Sequence, residues 1–218
     1  MVGVTITISC IFIIYNNIVN SASKMLIGSN NTLTYLEPSS WWFRVFRWLG
    51  RRQERSYDIQ YTYCGVRMFD LRIGVDDNNH LVARNGKYCY PLNSFYEMLD
   101  YFNKREDVTV MITLDMPLSS CTQSVEGKFK NTCHVVETIY KHIGFCGGYR
   151  RFDKNLLYQF DWEKQHGKPI MICPDDWSRV YKFVSRWLPF WVKKFNKVFI
   201  NRYKGNDGYL MLNYVNRR

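Results

Sequence analysis

Short runs of apolar, mostly β-branched residues recur along the chain and alternate with longer amphipathic or aromatic stretches. A short apolar run is typical of a buried strand, and a longer amphipathic stretch is typical of a helix that packs on a sheet. Strands that alternate with helices form βα units around a parallel sheet. The sequence therefore predicts an α/β fold from residue 24 onward.

The strands and helices of this fold can be placed by the same pattern. The predicted strands are residues 24–27, 65–72, 80–84, 108–114, 169–173, 197–200 and 209–214. The predicted helices are residues 94–104, 135–143 and 178–187. Pro189 follows the last helix and is expected to end it, because proline lacks the amide proton that a helix interior needs.

Charge indicates the kind of partner. The chain has 218 residues, with 30 Lys and Arg against 19 Asp and Glu, which gives a net charge of +11. So positive a field favours anionic partners such as nucleic acid, acidic lipid headgroups or phosphate esters. Charge alone does not choose among these three classes.

The first nineteen residues carry no charged side chain and precede a small-residue stretch at 20–23. They lack the basic start of a secretory signal, and their Thr, Ser and Asn residues make them polar for a membrane span. We treat residues 1–23 as an apolar extension of a single domain at 24–218. A signal, a weak anchor, a strand-forming extension and a dispensable leader all stay open. A signal would make the protein secreted or peripheral to a membrane, and otherwise we expect it in the cytoplasm.

Three sequence blocks follow one another in a fixed order. They are MLIGSNNTLTYL at 25–36, SYDIQYTYCGVRMFDLR at 56–72 and LVARNG at 81–86, with a weaker fourth block at 92–115. This series resembles the phosphatidylinositol-specific phospholipase C-like phosphodiesterase superfamily. In that family the blocks read G-[ST]-H-[DN]-[ST] after the first strand, G-[AV]-R-x-F-D-[IL]-R on the second, and a short strand that ends in His-Gly.

The resemblance implies a TIM-like (β/α) barrel whose site lies at the carboxyl ends of the strands. Such barrels typically have about 250 residues. A chain of 218 residues is short for eight βα units. We therefore expect a short or incomplete barrel in which several helices are reduced or missing.

Two asparagines stand where the family carries its catalytic histidines. The resemblance aligns Asn30 with the general base and Asn85 with the general acid. Both roles require a group that exchanges protons near neutral pH, and a carboxamide does not ionise there. The family comparison thus implies a phosphoric diester hydrolase fold with impaired catalysis that can still bind a phosphodiester.

Other site positions are retained. Arg72 matches the arginine that lies beside the phosphate in bacterial relatives, and Asp70 precedes it by two residues on the same face of the strand. Calcium-dependent relatives place metal ligands at positions that match Asn31, Asp70 and Asp115. No cofactor is expected, because Arg72 supplies a cation at this point, but the resemblance leaves Ca²⁺ open as an alternative. The other interpretation of Asp70 and Arg72 is an ion pair that satisfies buried polar groups.

The candidate residues are therefore as follows. The candidate catalytic positions are Asn30, Asn31, Asp70, Arg72 and Asn85. The candidate substrate-binding residues are Arg72 and Asp115.

Two segments, WWFRVFRWLGRR at 41–52 and SRWLPFWVKKFNK at 185–197, interleave aromatic and basic residues. This composition is typical of segments that lie at an anionic membrane surface, and bacterial relatives carry a short Trp-bearing helix at the place of the first. The alternative is a helix that packs on the barrel with its Arg and Lys stems over apolar surface. The candidate membrane-contacting residues are Trp41, Trp42, Trp48, Trp187 and Trp191.

Three functional hypotheses remain at this point. The first is an impaired phospholipase C-like protein, expected to be a monomer, that binds a phosphodiester or phosphoinositide headgroup at an anionic phospholipid membrane. The second is an active phosphodiesterase that uses a metal or another altered route. The third is a basic, aromatic scaffold that docks on membranes without a ligand. Nucleic acid is disfavoured as a partner, because no known nucleic-acid-binding module is present.

Overall fold

A computed structural model describes residues 25–150 and 157–217 of the chain. The predicted extension at 1–23 and the start of the first predicted strand lie outside the described residues. None of the described helices combines the length and the apolar character needed to cross a membrane.

The described strands form one sheet. They are β1 (Leu26–Ser29), β2 (Val66–Val75), β3 (Leu81–Asn85), β4 (Tyr88–Tyr90), β5 (Thr109–Leu114), β6 (Gly144–Arg150), β7 (Met171–Ile172) and β8 (Tyr209–Leu212).

Six of the strands run parallel in the order β6-β5-β2-β1-β8-β7. The hairpin of β3 and β4 is antiparallel and pairs with the last residues of β2, where Ile73 is opposite Ala83. Within the described residues no strand pairing joins β6 to β7, so the parallel strands form an open barrel. The predicted fold class, an α/β barrel of an incomplete kind, is confirmed.

Helices connect the strands and cover the outside of the sheet. They are α1 (Trp41–Val45), α2 (Arg47–Gly50), α3 (Tyr57–Thr62), α4 (Asn93–Phe102), α5 (Gln123–Ile139), α6 (Asp161–His166), α7 (Pro174–Trp177), α8 (Arg179–Trp187) and α9 (Val192–Tyr203). Short 3₁₀ turns occur at Thr32–Tyr35, Leu118–Ser120 and Pro189–Trp191.

The side chains of β2 divide between two environments because they alternate along a strand. Phe69, Leu71 and Ile73 join the large core between sheet and helices. The ring of Phe69 lies 4.3 Å from that of Phe102, which α4 buries with the rest of its apolar face. Met68 belongs instead to a small cluster inside the barrel. Asp70 lies two residues further along this inner face, and Arg72 lies two residues after Asp70. The alternation therefore directs both side chains to the inside of the barrel.

The predicted strand at 197–200 is wrong, because these residues belong to α9. The run Lys-Val-Phe-Ile looked like a strand from composition. The buried residues of α9 are nevertheless Val192, Asn196 and Phe199, a helical spacing, while Val198 is 61% exposed.

The chain around the predicted helix at 135–143 also differs from the prediction. Helix α5 starts earlier, at Gln123, and ends at Ile139. The strand β6 that follows was missed, because three glycines within GFCGGYR weaken the strand pattern.

Candidate functional site

A cavity of about 1210 Å³ opens at the carboxyl ends of the parallel strands. Four of the sequence-predicted catalytic positions line it, namely Asn30, Asp70, Arg72 and Asn85. Asn30 follows β1, Asp70 and Arg72 lie along β2, and Asn85 ends β3. Asn31 and Asp115 do not line the cavity: Asn31 donates its backbone N–H to the side chain of Asp70, and the side chain of Asp115 accepts from the backbone N–H of Gly86.

Arg72 and Asp70 form an ion pair at the floor of the cavity. Nε of Arg72 lies 2.7 Å from Oδ2 of Asp70, and the two side chains are 10% and 0% exposed. Burial disfavours the charged form of Arg72, but the negative charges of Asp70 and Asp115 outweigh it and raise the pKa of Arg72 above its usual value. The guanidinium is therefore charged at every working pH.

Asn30 continues this network from the end of β1. Its Oδ1 accepts a hydrogen bond from Nη2 of Arg72 at 2.5 Å, and its Nδ2 donates to Oδ1 of Asn213 at 2.7 Å. Ser29 pairs with Leu212 in the parallel ladder of β1 and β8. The residues that follow these two, Asn30 and Asn213, are therefore neighbours. Both ends of the Asn30 amide are engaged.

Asn85 ends β3 on the other side of the cavity. Its Nδ2 donates to the backbone oxygen of Gly50 at 2.6 Å. Gly86, which follows, has φ of 61°, a left-handed conformation that glycine adopts without steric cost. The turn directs the Gly86 amide to Oδ2 of Asp115 at 3.0 Å. Asp115 thereby fixes the turn that presents Asn85.

Asn31 turns the chain away from β1 with φ of 55°. Its backbone N–H donates to Oδ2 of Asp70 at 3.1 Å. In the described part of the chain its Nδ2 has no hydrogen-bond partner. Asn31 thus helps to hold Asp70 and lies behind the cavity.

The set Asn31, Asp70 and Asp115 does not fit a divalent cation. Oδ2 of Asp70 already accepts from Arg72, and Oδ2 of Asp115 already accepts from Gly86. Ca²⁺ binds six to eight oxygen ligands, and a guanidinium would repel it here. Among the described residues no group of three or more His, Cys, Asp and Glu is placed to hold a metal. Calcium binding stays a prediction from the resemblance.

The mouth of the cavity is positively charged. Three exposed cations at the mouth, Lys87, Lys182 and Arg186, form no salt bridge among the described residues. Lys168 also lines the cavity, as does Asp176. An anion that approaches this end of the barrel meets a field of favourable sign before it reaches Arg72.

The two aromatic and basic segments meet beside this mouth. The rings of Trp48, in α2, and Trp187, in α8, lie edge to face with centroids 5.4 Å apart. Trp41 and Trp42 of α1 are stacked and are 59% and 61% exposed. Trp191 is also exposed. The contact of Trp48 with Trp187 thus joins two aromatic segments that are far apart in sequence, and we call the exposed tryptophans of both segments the aromatic surface.

Two residues of the network were not singled out from the sequence. Asn213 lies at the end of β8, and its Nδ2 donates to Oδ1 of Asp175 at 3.0 Å. Asp175 is buried in α7, directly after β7. The closing block YLMLNYVN placed a strand here, but a lone Asn and an Asp in PDDW carry no local signal of a shared site.

Comparison with known structures shows what the fold is similar to. A double mutant of the phosphatidylinositol-specific phospholipase C from Staphylococcus aureus matches with a TM-score of 0.55 and 14% identity, over 88% of this chain and 86% of that chain. A single mutant of the same enzyme matches with a TM-score of 0.54 and 12% identity over the same shares. No family model and no curated protein matches the chain significantly. The likeness shows the fold alone, and this fold is similar to that of a phosphatidylinositol-specific phospholipase C.

Proposed function

We propose that this protein binds a phosphodiester headgroup at an anionic membrane and does not hydrolyse it efficiently. One observation carries the proposal. A buried, charged guanidinium lies at the floor of the cavity, while carboxamides occupy both positions at which the resemblance requires a proton-transferring group.

Arg72 supports the binding part of this proposal. Its Nε and Nη2 are held by Asp70 and Asn30, and its Nη1 has no hydrogen bond within the described residues. A guanidinium fixed in this way can donate to an anionic oxygen with little further loss of freedom. Thr113 is opposite Arg72 in the ladder of β2 and β5 and also lines the cavity. Its buried hydroxyl has no hydrogen-bond partner in the described part of the chain.

The same cavity offers little for proton transfer. None of the four histidines is among the described residues that line it. His80 precedes β3 at the end away from Asn85, and its side chain is 76% exposed beside Asp76. Burial raises the pKa of the Cys173 thiol well above its usual value, so this thiol stays protonated at neutral pH. General acid–base catalysis contributes about 10²–10⁴-fold per group, so the loss of both groups leaves slow turnover.

The aromatic surface supports the membrane part of the proposal. Trp41 and Trp42 on α1 are exposed, Phe43 of the same helix lines the cavity, and the exposed Trp187 on α8 lines it as well. Tryptophan favours the headgroup region of a bilayer, and cations attract anionic lipid. A bilayer against this surface would face the opening that leads to Arg72.

Substitution of Trp41 and Trp42 together by alanine is expected to weaken binding to vesicles that contain anionic lipid by at least about tenfold, since each side chain loses apolar area buried in the interface. Sedimentation with vesicles of phosphatidylcholine and phosphatidylserine measures the change. The control is Tyr63→Ala, because Tyr63 is 82% exposed at the amino end of β2, away from the cavity. Equal binding by both variants would contradict a membrane role for α1.

The proposed function as a whole is tested with the unmodified chain. Vesicles that contain phosphatidylinositol should bind it more tightly than vesicles of phosphatidylserine at equal charge. Release of water-soluble inositol phosphate should remain slow and should not change with EDTA. Rapid release would show an active enzyme, and loss of that release in EDTA would favour the metal-assisted route.

A further inference from the structure

We propose that Asp175 is a positioning residue that sets the direction of a buried hydrogen-bond chain and thereby holds Arg72 ready for an anion. The proposal rests on the proposed function for its ligand. It concerns four side chains in series: Asp175, Asn213, Asn30 and Arg72.

The hydrogen-bond chain has two ends of opposite character. At one end, Oδ1 of Asp175 accepts from Nδ2 of Asn213 at 3.0 Å. At the other end, Nη2 of Arg72 donates to Oδ1 of Asn30 at 2.5 Å. A carboxylate can only accept hydrogen bonds, and a guanidinium can only donate them. The two amides between these ends must therefore both point the same way.

Reversal of either amide would leave a mismatch. If the amide of Asn213 turned over, its Oδ1 would face the carboxylate of Asp175, and its Nδ2 would face Nδ2 of Asn30. If Asn30 also turned over, its Nδ2 would face the donors of Arg72. Both asparagines and Asp175 are buried, so water would not compensate for the mismatch.

Asp175 fixes this direction from the end opposite to Arg72. Within the described residues no salt bridge is formed by Asp175, and its other contact is a long hydrogen bond of 3.4 Å from Ser185. The negative charge of Asp175 also acts on Arg52, where it opposes the lowering of the Arg52 pKa by burial. Loss of this charge therefore affects stability in two ways, and stability of one variant alone does not test the chain.

A reversed chain provides the test. In Asp175→Asn the end residue can donate as well as accept, so the direction of the amides is fixed from the Arg72 end alone. In Asn30→Asp a second carboxylate faces Oδ1 of Asn213. In the double variant Asn30→Asp/Asp175→Asn both bonds of Asn213 can be remade in the opposite direction: residue 175 donates to Asn213, and Asn213 donates to residue 30. Arg72 donates to residue 30 as before.

Thermal unfolding of the wild type, the two single variants and the double variant measures this coupling. We expect the double variant to melt about 2–4 °C or more above the value that adding the two single shifts gives. The matched cycle uses Asp176→Asn with Asn30→Asp, because Asp176 is the adjacent carboxylate and also lines the cavity. This control cycle measures how much of the coupling in melting temperature comes from the change of charge alone. Equal coupling in the two cycles would overturn the proposal.

Ligand binding gives the second readout. With glycerophosphoinositol, a soluble phosphodiester, as the calorimetric probe, Asp175→Asn should raise Kd about tenfold, which corresponds to about 1.4 kcal/mol. The Nε–Hε resonance of Arg72 should shift in the same variant. An unchanged Kd together with an unchanged resonance would overturn the proposal even if the variant melts lower. If the wild type does not bind the probe, the proposed function fails, and the unfolding cycles and the resonance still decide the inference.

Discussion

Phosphodiesterase activity is expected to appear when Asn30 and Asn85 are both replaced by histidine. Release of inositol phosphate from phosphatidylinositol vesicles should rise about 10²–10⁴-fold above that of the unmodified chain, because an imidazole exchanges protons near neutral pH and a carboxamide does not. Both positions line the cavity that holds Arg72, so a base and an acid would flank the bound phosphate. The new activity should show a bell-shaped pH profile and should persist in EDTA.

The structure adds a reason why the first histidine can be oriented. Nδ2 of Asn30 now donates to Oδ1 of Asn213 at 2.7 Å, and a ring N–H of a histidine at this position can make the same contact. That contact fixes which ring nitrogen is left to accept a proton. The control is Asn30→Gln with Asn85→Gln, which enlarges both side chains and adds no ionisable group. Turnover by the unmodified chain that equals turnover by the double-histidine variant would contradict the proposed impairment.

The sequence was informative where local pattern and chemistry coincide. Period-two alternation on β2 placed Asp70 and Arg72 on one face, and the structure pairs them at 2.7 Å. The apolar face of α4 was predicted at 94–104, and the helix spans Asn93–Phe102. Such features depend on neighbours in sequence, so composition and spacing report them.

Features that depend on distant neighbours were not predicted. The contact of Asn213 with Asn30 arises because β1 and β8 are adjacent, and these residues are 183 positions apart. Asp175 enters the site only because β7 adjoins β8. The run at 197–200 has strand composition, but tertiary packing makes it helical. In each case the information lies in the sheet order, which no local pattern contains.

Loss of anion binding is expected when Arg72 is removed, and the structure separates this effect from loss of the fold. Arg72→Ala leaves Asp70 buried without its cation, and breaking a buried pair in this way costs about 3–5 kcal/mol of unfolding free energy. The variant Asp70→Asn/Arg72→Met removes both charges and should unfold with much less loss, because no uncompensated charge remains. Urea unfolding of the two variants measures the difference.

Anion binding should be lost in the double variant even though its unfolding free energy is largely retained. Glycerophosphoinositol should bind Asp70→Asn/Arg72→Met at least about 10²-fold more weakly than the wild type, although the variant is folded, because a charge-assisted contact to phosphate is lost. Arg72→Lys keeps the charge but loses the planar fork that holds Asp70 and Asn30 together, so an intermediate loss is expected. Because the pKa of Arg72 lies above its usual value, its contribution is present in full at neutral pH and is lost only in strong base, so the comparison holds across ordinary buffers.

Vesicle binding that survives in the double variant while probe binding is lost would assign membrane docking to the tryptophans and headgroup recognition to Arg72. Probe binding that survives would show that Asp70 and Arg72 form only a structural ion pair.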